Sequence, residues 1–131
     1  MKRLNPKQIL LIHDELVEKY GGSFGIRDEN LFESAIFQPF VTFGGLDLYQ
    51  TVFDKAAALL RSLVKNHPFI DGNKRTGIVS AQLLIEANDY VFKAGISVTE
   101  KFVRKIASTK VSVEEISHWL KKHSICPVST K

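Results

Sequence analysis

Helix-start signatures recur along this chain at intervals too short for anything but a stack of short helices. Asn5, Pro6 and Gln8 supply an N-cap, a first-turn proline and a capping-box partner. Behind them Ile9, Ile12, Leu16 and Tyr20 follow at helical spacing until Gly21 and Gly22 stop the element. Asp28 caps a second, shorter helix carrying Leu31, Phe32, Ala35 and Ile36, which must end before Pro39 because the residue preceding a proline avoids helical angles. Asp47 with Gln50 is expected to open a third, in which Val52, Ala56, Leu59, Leu60, Leu63 and Val64 form one apolar stripe. From Lys74 the run KRTGIVSAQLLIEAN is apolar on nearly every side, the pattern of a helix buried among others. Ser97 with Glu100, and Ser112 with Glu115, open two more, bearing Phe102, Val103 and Ile106 and then Ile116, Trp119 and Leu120. The fold expected is all-α, a compact bundle of about six helices with little or no sheet; YVFKAGI, residues 90–96, offers at most a short extended piece.

With 131 residues and 44% hydrophobic content the chain can close one core, so residues 1–123 are read as a single domain and 124–131 as a frayed tail. Lysine and arginine exceed the acidic residues by 18 to 14, a mild preference for anionic partners without the dense basic tracts of a nucleic-acid binder. The face of Lys101, Arg104, Lys105 and Lys110 reads as solvated surface. One cysteine, Cys126, rules out an intramolecular disulfide and a cysteine-built zinc site. No run of about 18 apolar residues could span a membrane, and the start has no signal-peptide core, so a cytoplasmic location is expected. Residues 37–47, FQPFVTFGGLD, form a loop whose Phe37, Phe40, Val41 and Phe43 are expected to tuck beneath it, with a sticky surface or a substrate flap as the open alternatives.

The chemistry is concentrated in HPFIDGNKRTG, residues 67–77. Gly72 and Asn73 stand just before a helix, where backbone N–H groups are unpaired, the helix dipole is positive and glycine lets a ligand approach. Lys74 and Arg75 add two cations at a helix end that disfavours them, a conflict that an anion would relieve. Asp71 is a hard oxygen ligand of the kind magnesium takes beside substrate phosphates. Residue 67 is a histidine, the side-chain type whose unperturbed pKa lies nearest physiological pH. Taken singly, His67 could simply end a helix, and Asp71 with Gly72 could be an ordinary turn; Phe69 reads as a core anchor. Together they meet the needs of phosphoryl or nucleotidyl transfer, where a protein chiefly positions groups and neutralises developing charge. His13, on the same face as Ile9 and Leu16, is expected to be half-buried and satisfied by a neighbour, and His118 and His123 to be solvated.

HPFIDGNKR resembles the motif of the Fic/Doc family, H-x-F-x-(D/E)-(G/A)-N-(G/K)-R, and fills every fixed position from His67 to Arg75. Upstream, LIHDELVEKYGGSFGIRDENLFESAI is similar to the amino-terminal part of Doc-type (death on curing) toxins, and STKVSVEEISHWLKK to their last helix. The resemblance implies a compact helical fold, ATP and magnesium as cofactors, and His67 as general base toward a target hydroxyl. It assigns magnesium to Asp71 and the phosphates to Gly72, Asn73, Lys74 and Arg75, with Lys65 as a possible further phosphate contact. Where the adenylylating branch reads G-N-G-R-x-x-R, this chain has Lys74 for the second glycine and Ile78 for the last arginine, departures that point to the Doc branch. That branch passes the γ-phosphate of ATP to a threonine of elongation factor Tu and arrests protein synthesis. The alternatives are a Fic-type adenylyltransferase and a non-catalytic module that binds an anion or a partner. An inhibitory string of the form (S/T)-x-x-x-E-(G/N), present in many family members, is absent here, so the resemblance implies restraint by a separate, partly disordered antitoxin.

Overall fold

A computed structural model describes residues 1–126. Six α-helices carry the fold: α1 Pro6–Tyr20, α2 Glu29–Phe37, α3 Val52–Asn66, α4 Asn73–Ala87, α5 Ile96–Ser108 and α6 Val113–Lys122. A single 3-10 turn, Gln38–Phe40, follows α2. Two small antiparallel pairs complete it: β1 Thr42–Phe43 with β2 Leu46–Asp47, and β3 Val91–Phe92 with β4 Ser124–Ile125. The helical bundle read from the sequence is therefore the fold, with the sheet confined to two ribbons.

Several helices start where the capping signals place them. The Asn5 side chain accepts from the Gln8 backbone N–H while the Gln8 side chain accepts from that of Asn5, and Asp28 and Ser112 cap α2 and α6. Two starts are displaced. α3 is capped by Thr51 with Asp54, not by Asp47 with Gln50. Asp47 lies instead in β2, its carboxylate 3.2 Å from the Nζ of Lys55. α5 begins at Ile96 behind Gly95, so Ser97 lies in its first turn and caps nothing. The tail expected to fray from Ser124 pairs instead: Ser124 lies opposite Phe92 and Ile125 opposite Val91, and residues 127–131 lie outside the described structure.

The core is built around α3. Ala56, Leu60, Leu63 and Val64 are wholly buried, as are Ile85 of α4, Ile106 of α5 and Ile116 and Leu120 of α6. On α1 the buried line runs Ile9, His13, Val17, one register away from the expected stripe; Ile12 and Leu16 are half-buried and Tyr20 is exposed. A count of apolar residues misses this line because its centre is a histidine. His123, expected to be solvated, is half-buried with Nδ1 2.8 Å from the Trp119 carbonyl and its ring against the indole. The loop at 37–47 is only partly tucked. Pro39 is buried and Phe40 packs against the core, but Phe43 is 84% exposed and Leu46 69% exposed on the β1–β2 hairpin. Two-residue strands have no second layer to cover their side chains. Lys55, itself buried, ties the hairpin down through the Asp47 carboxylate and the Tyr49 carbonyl.

Asp54 links α3 to α6: its Oδ1 accepts a 2.6 Å hydrogen bond from the Ser117 hydroxyl. Burial pushes its carboxyl up, but the Ser117 bond, the bonds from Thr51 and the Lys55 charge outweigh that and hold it below 3.8. A carboxyl depressed in the folded state contributes stability that is complete above its unfolded value and is lost as pH falls through the folded one. Asp54→Asn is therefore expected to lower the unfolding free energy at neutral pH by about 1 kcal/mol, with a smaller loss below pH 3.8, read from urea melts across that range.

Candidate active site

The motif occupies the turn between the two central helices. α3 ends at Asn66 and His67 is its C-cap, in the left-handed region at φ 49° and ψ 58°. Its side chain is exposed, and among the described residues the ring has no hydrogen-bond partner. Phe69 is the anchor expected of it: wholly buried, stacked on the His13 ring at 3.9 Å between centroids and edge-on to Phe32 at 5.3 Å. With the chain pinned there, His67 on one side and Ile70 and Asp71 on the other lie at the surface.

Asn73 closes the loop. Its Oδ1 accepts from the Phe69 N–H at 2.9 Å and its Nδ2 donates to the Phe69 carbonyl at 3.0 Å. The side chain is thus committed to the loop's own backbone, which departs from the expectation that it holds phosphate directly. Asp71 is exposed, its Oδ1 accepting from the Gly72 N–H at 2.9 Å and its Oδ2 from the Ser23 N–H at 3.3 Å. The Asp71 carbonyl, which can only accept, lies 2.7 Å from His13 Nε2, so that nitrogen donates. His13 is thus buried and satisfied as a structural reading requires, but its partner is the motif itself.

Gly72 is the N-cap of α4 at φ 79°, a conformation L side chains rarely adopt, and an added Cβ would lie 3.4 Å from His13 Nε2. Four of the six helices have a side-chain cap; α4 has none, and no acidic residue lies in its first turn. Its first N–H groups are left for solvent or a ligand. Lys74 and Arg75 are exposed there, and neither has an ion-pair partner among the described residues. Arg75 rests over the Tyr20 ring at 4.8 Å. Lys65 does not join them: its ammonium donates to the carbonyls of Thr109 at 2.7 Å and Ala107 at 3.4 Å, at the end of α5. It serves a helix terminus, where the resemblance offers a possible further phosphate contact.

A second wall escaped the sequence reading. The segment between α1 and α2 runs along the motif loop: Arg27 and Asp28 N–H both donate to the Pro68 carbonyl, Ile70 N–H donates to that of Gly25, and Ile26 bridges Phe69. At Gly22, with φ 118°, a Cβ would sit 2.8 Å from Asp71 Oδ2, so the missing side chain makes room for that carboxylate. No group of three or more metal-ligating side chains occurs among the described residues. The donor set fits magnesium only as one carboxylate completed by phosphate oxygens and water, the usual arrangement for that ion beside a nucleotide. A separate cleft of about 720 Å³, lined by Thr51, Phe53, Asp54, Tyr90, Ser117 and Lys121 among others, contains no motif residue.

The uncapped start of α4 with its two cations stands at one end of the motif loop and His67 at the other, and residues 3–85 match the Fic/DOC family. The chain belongs to that family. Among its relatives it is 35% identical over 100 residues to the protein named Toxin Doc of Mycolicibacterium smegmatis (strain ATCC 700084 / mc(2)155), covering 75% of this chain and 77% of the relative. It is 30% identical over 90 residues to the protein named Protein kinase doc of Escherichia phage P1, covering 67% and 69%.

Proposed function

We propose that this chain is a Doc-type toxin kinase that transfers the γ-phosphate of ATP to a serine or threonine hydroxyl of a translation protein, with elongation factor Tu the acceptor suggested by the family. The observation that carries the reading is the start of α4: a left-handed Gly72 without a side-chain cap, followed by Lys74 and Arg75, both without ion-pair partners among the described residues. Backbone N–H groups and two cations converge where phosphate oxygens gather charge during transfer. At the other end of the loop the His67 ring is exposed and without a partner among the described residues, as a base awaiting an external hydroxyl must be. Asp71 would hold magnesium, which when bound to ATP shields the charge on the phosphate chain. The names of the two relatives, a toxin and a protein kinase, support the same reading.

Ile78 packs against the core, so no cation stands at that position to receive the β- and γ-phosphates of a nucleotide donating AMP. This favours the kinase over the adenylyltransferase. No described helix is long and apolar enough to cross a membrane, and a cytoplasmic site of action fits an acceptor in the translation machinery. Restraint would come from an antitoxin whose apolar segment folds onto this protein. Phe37, Phe43, Leu46 and Leu48 are exposed, and Phe37 also borders a groove with Leu4, Pro6, Ile36 and Phe40.

Incubation with elongation factor Tu, magnesium and ATP labelled at either the α- or the γ-phosphate tests the chemistry. Only the γ label is expected to enter the acceptor, with the mass of one phosphate on serine or threonine. Uptake of the α label with the mass of AMP would establish the adenylyltransferase instead, and uptake of neither would leave only a binding role at this site.

A further inference from the structure

We propose that Arg27 is a positioning residue for His67: its guanidinium holds the end of α3 and so fixes the backbone from which the imidazole projects. The inference rests on the reading of His67 as the base. Arg27 Nε donates to the His67 carbonyl at 2.6 Å and Nη2 to the Asn66 carbonyl at 2.7 Å. These are two of the carbonyls that a helix leaves unpaired at its C-terminus, and a cation there also opposes the negative end of the dipole. Two parallel, charge-assisted bonds from one rigid plane set an orientation as well as a distance.

The residue so held is the one that needs holding. His67 and Asp89 are the two non-glycine residues at positive φ among those described, and Asp89 lies at the far end of α4. A residue in that region stays there only where its surroundings over-determine it. Among the described residues the His67 ring has no bond of its own, so the backbone alone sets the direction of its Cα–Cβ bond and the rotamers open to it, and its backbone carbonyl is bonded to Arg27. The Arg27 side chain is exposed, and the pairing of its segment with the loop is made by main-chain bonds to Pro68 and Gly25 that any residue at 27 keeps. Loss of the guanidinium therefore frees the histidine without unfolding the chain.

The test is Arg27→Ala, with Arg27→Lys beside it, in steady-state γ-phosphate transfer and in carbon-detected spectra of the histidine rings, the His67 signal being assigned by its loss in His67→Ala. In Arg27→Ala, kcat is expected to fall roughly tenfold or more, because small misplacements of a reacting group carry penalties of that order. KM for ATP should stay within about twofold of the parent, since this cation serves the base and not the phosphates. The His67 ring signal should broaden or split, and guanidinium ion added at millimolar concentration should restore part of the rate. Arg27→Lys should recover little, because an ammonium cannot serve both carbonyls in one plane. An unchanged kcat with an unchanged ring signal overturns the proposal, as does a raised KM with normal kcat, which would make Arg27 a nucleotide ligand. Should the parent protein transfer no phosphate, the functional reading has failed, and the ring signal alone then decides whether Arg27 orients His67.

Discussion

His67→Ala is expected to lose phosphate transfer by roughly a hundredfold to ten-thousandfold, the range that a positioned acid–base group supplies, while the protein remains folded. The fold should survive because the ring is exposed and bonds to no described residue, so its removal strands no buried partner. A second substitution sharpens the prediction. The position lies at φ 49°, where glycine is the preferred residue after a helix. His67→Gly should therefore be as inactive as His67→Ala yet at least as stable as the parent, since relief of up to about 1–2 kcal/mol of left-handed strain offsets the extra freedom of glycine in the unfolded chain. Growth arrest on expression, transfer of the γ label, and thermal melts of the three proteins give the check. A glycine variant that is both active and more stable would mean that the strained histidine serves no purpose, and the assignment of the base would fall.

That strain explains part of what the sequence could and could not show. The helices were legible because caps and apolar stripes are local signals: Asn5, Asp28 and Ser112 act within three residues of themselves. The two misplaced starts failed for a local reason as well. Asp47 has the right chemistry for a cap, but Lys55 takes its carboxylate and the chain around it turns back as a hairpin. Likewise Ser97 is overtaken by Gly95, whose extended backbone already admits the chain to α5. In the site, the uncapped helix start with its two cations was legible because residues 72–75 are contiguous and the physics of a helix start is local. The opposite half was not. Arg27 reaches the His67 carbonyl across 40 positions and His13 the Asp71 carbonyl across 58, and both bonds end on main-chain oxygens that every residue possesses. A side chain that recognises backbone leaves no complementary residue in the sequence to be noticed.

Asn73 shows the same difference between a motif and a mechanism, and its substitution should have a large effect on stability. Read as a phosphate ligand, Asn73→Ala would weaken ATP binding and leave the fold untouched. The geometry predicts otherwise. Asn73 is buried, with both ends of its amide on the backbone of Phe69, itself wholly buried. Alanine would leave a buried N–H and a buried carbonyl without partners, each at about 1–3 kcal/mol. The expected loss is thus about 2–6 kcal/mol, equivalent to roughly 10–20 °C in the melting temperature of a domain of this size. Transfer activity should fall as well, because the lock that seats Phe69 also spaces His67 from the start of α4. Asn73→Asp separates the two ideas: it keeps an acceptor for the Phe69 N–H, loses the donor, and sets a carboxylate at the helix start. It should melt between alanine and the parent if the lock is what matters. A melting temperature unchanged in Asn73→Ala, with ATP affinity reduced at least tenfold, would show that the amide turns outward to the nucleotide and that the bonds to Phe69 are dispensable.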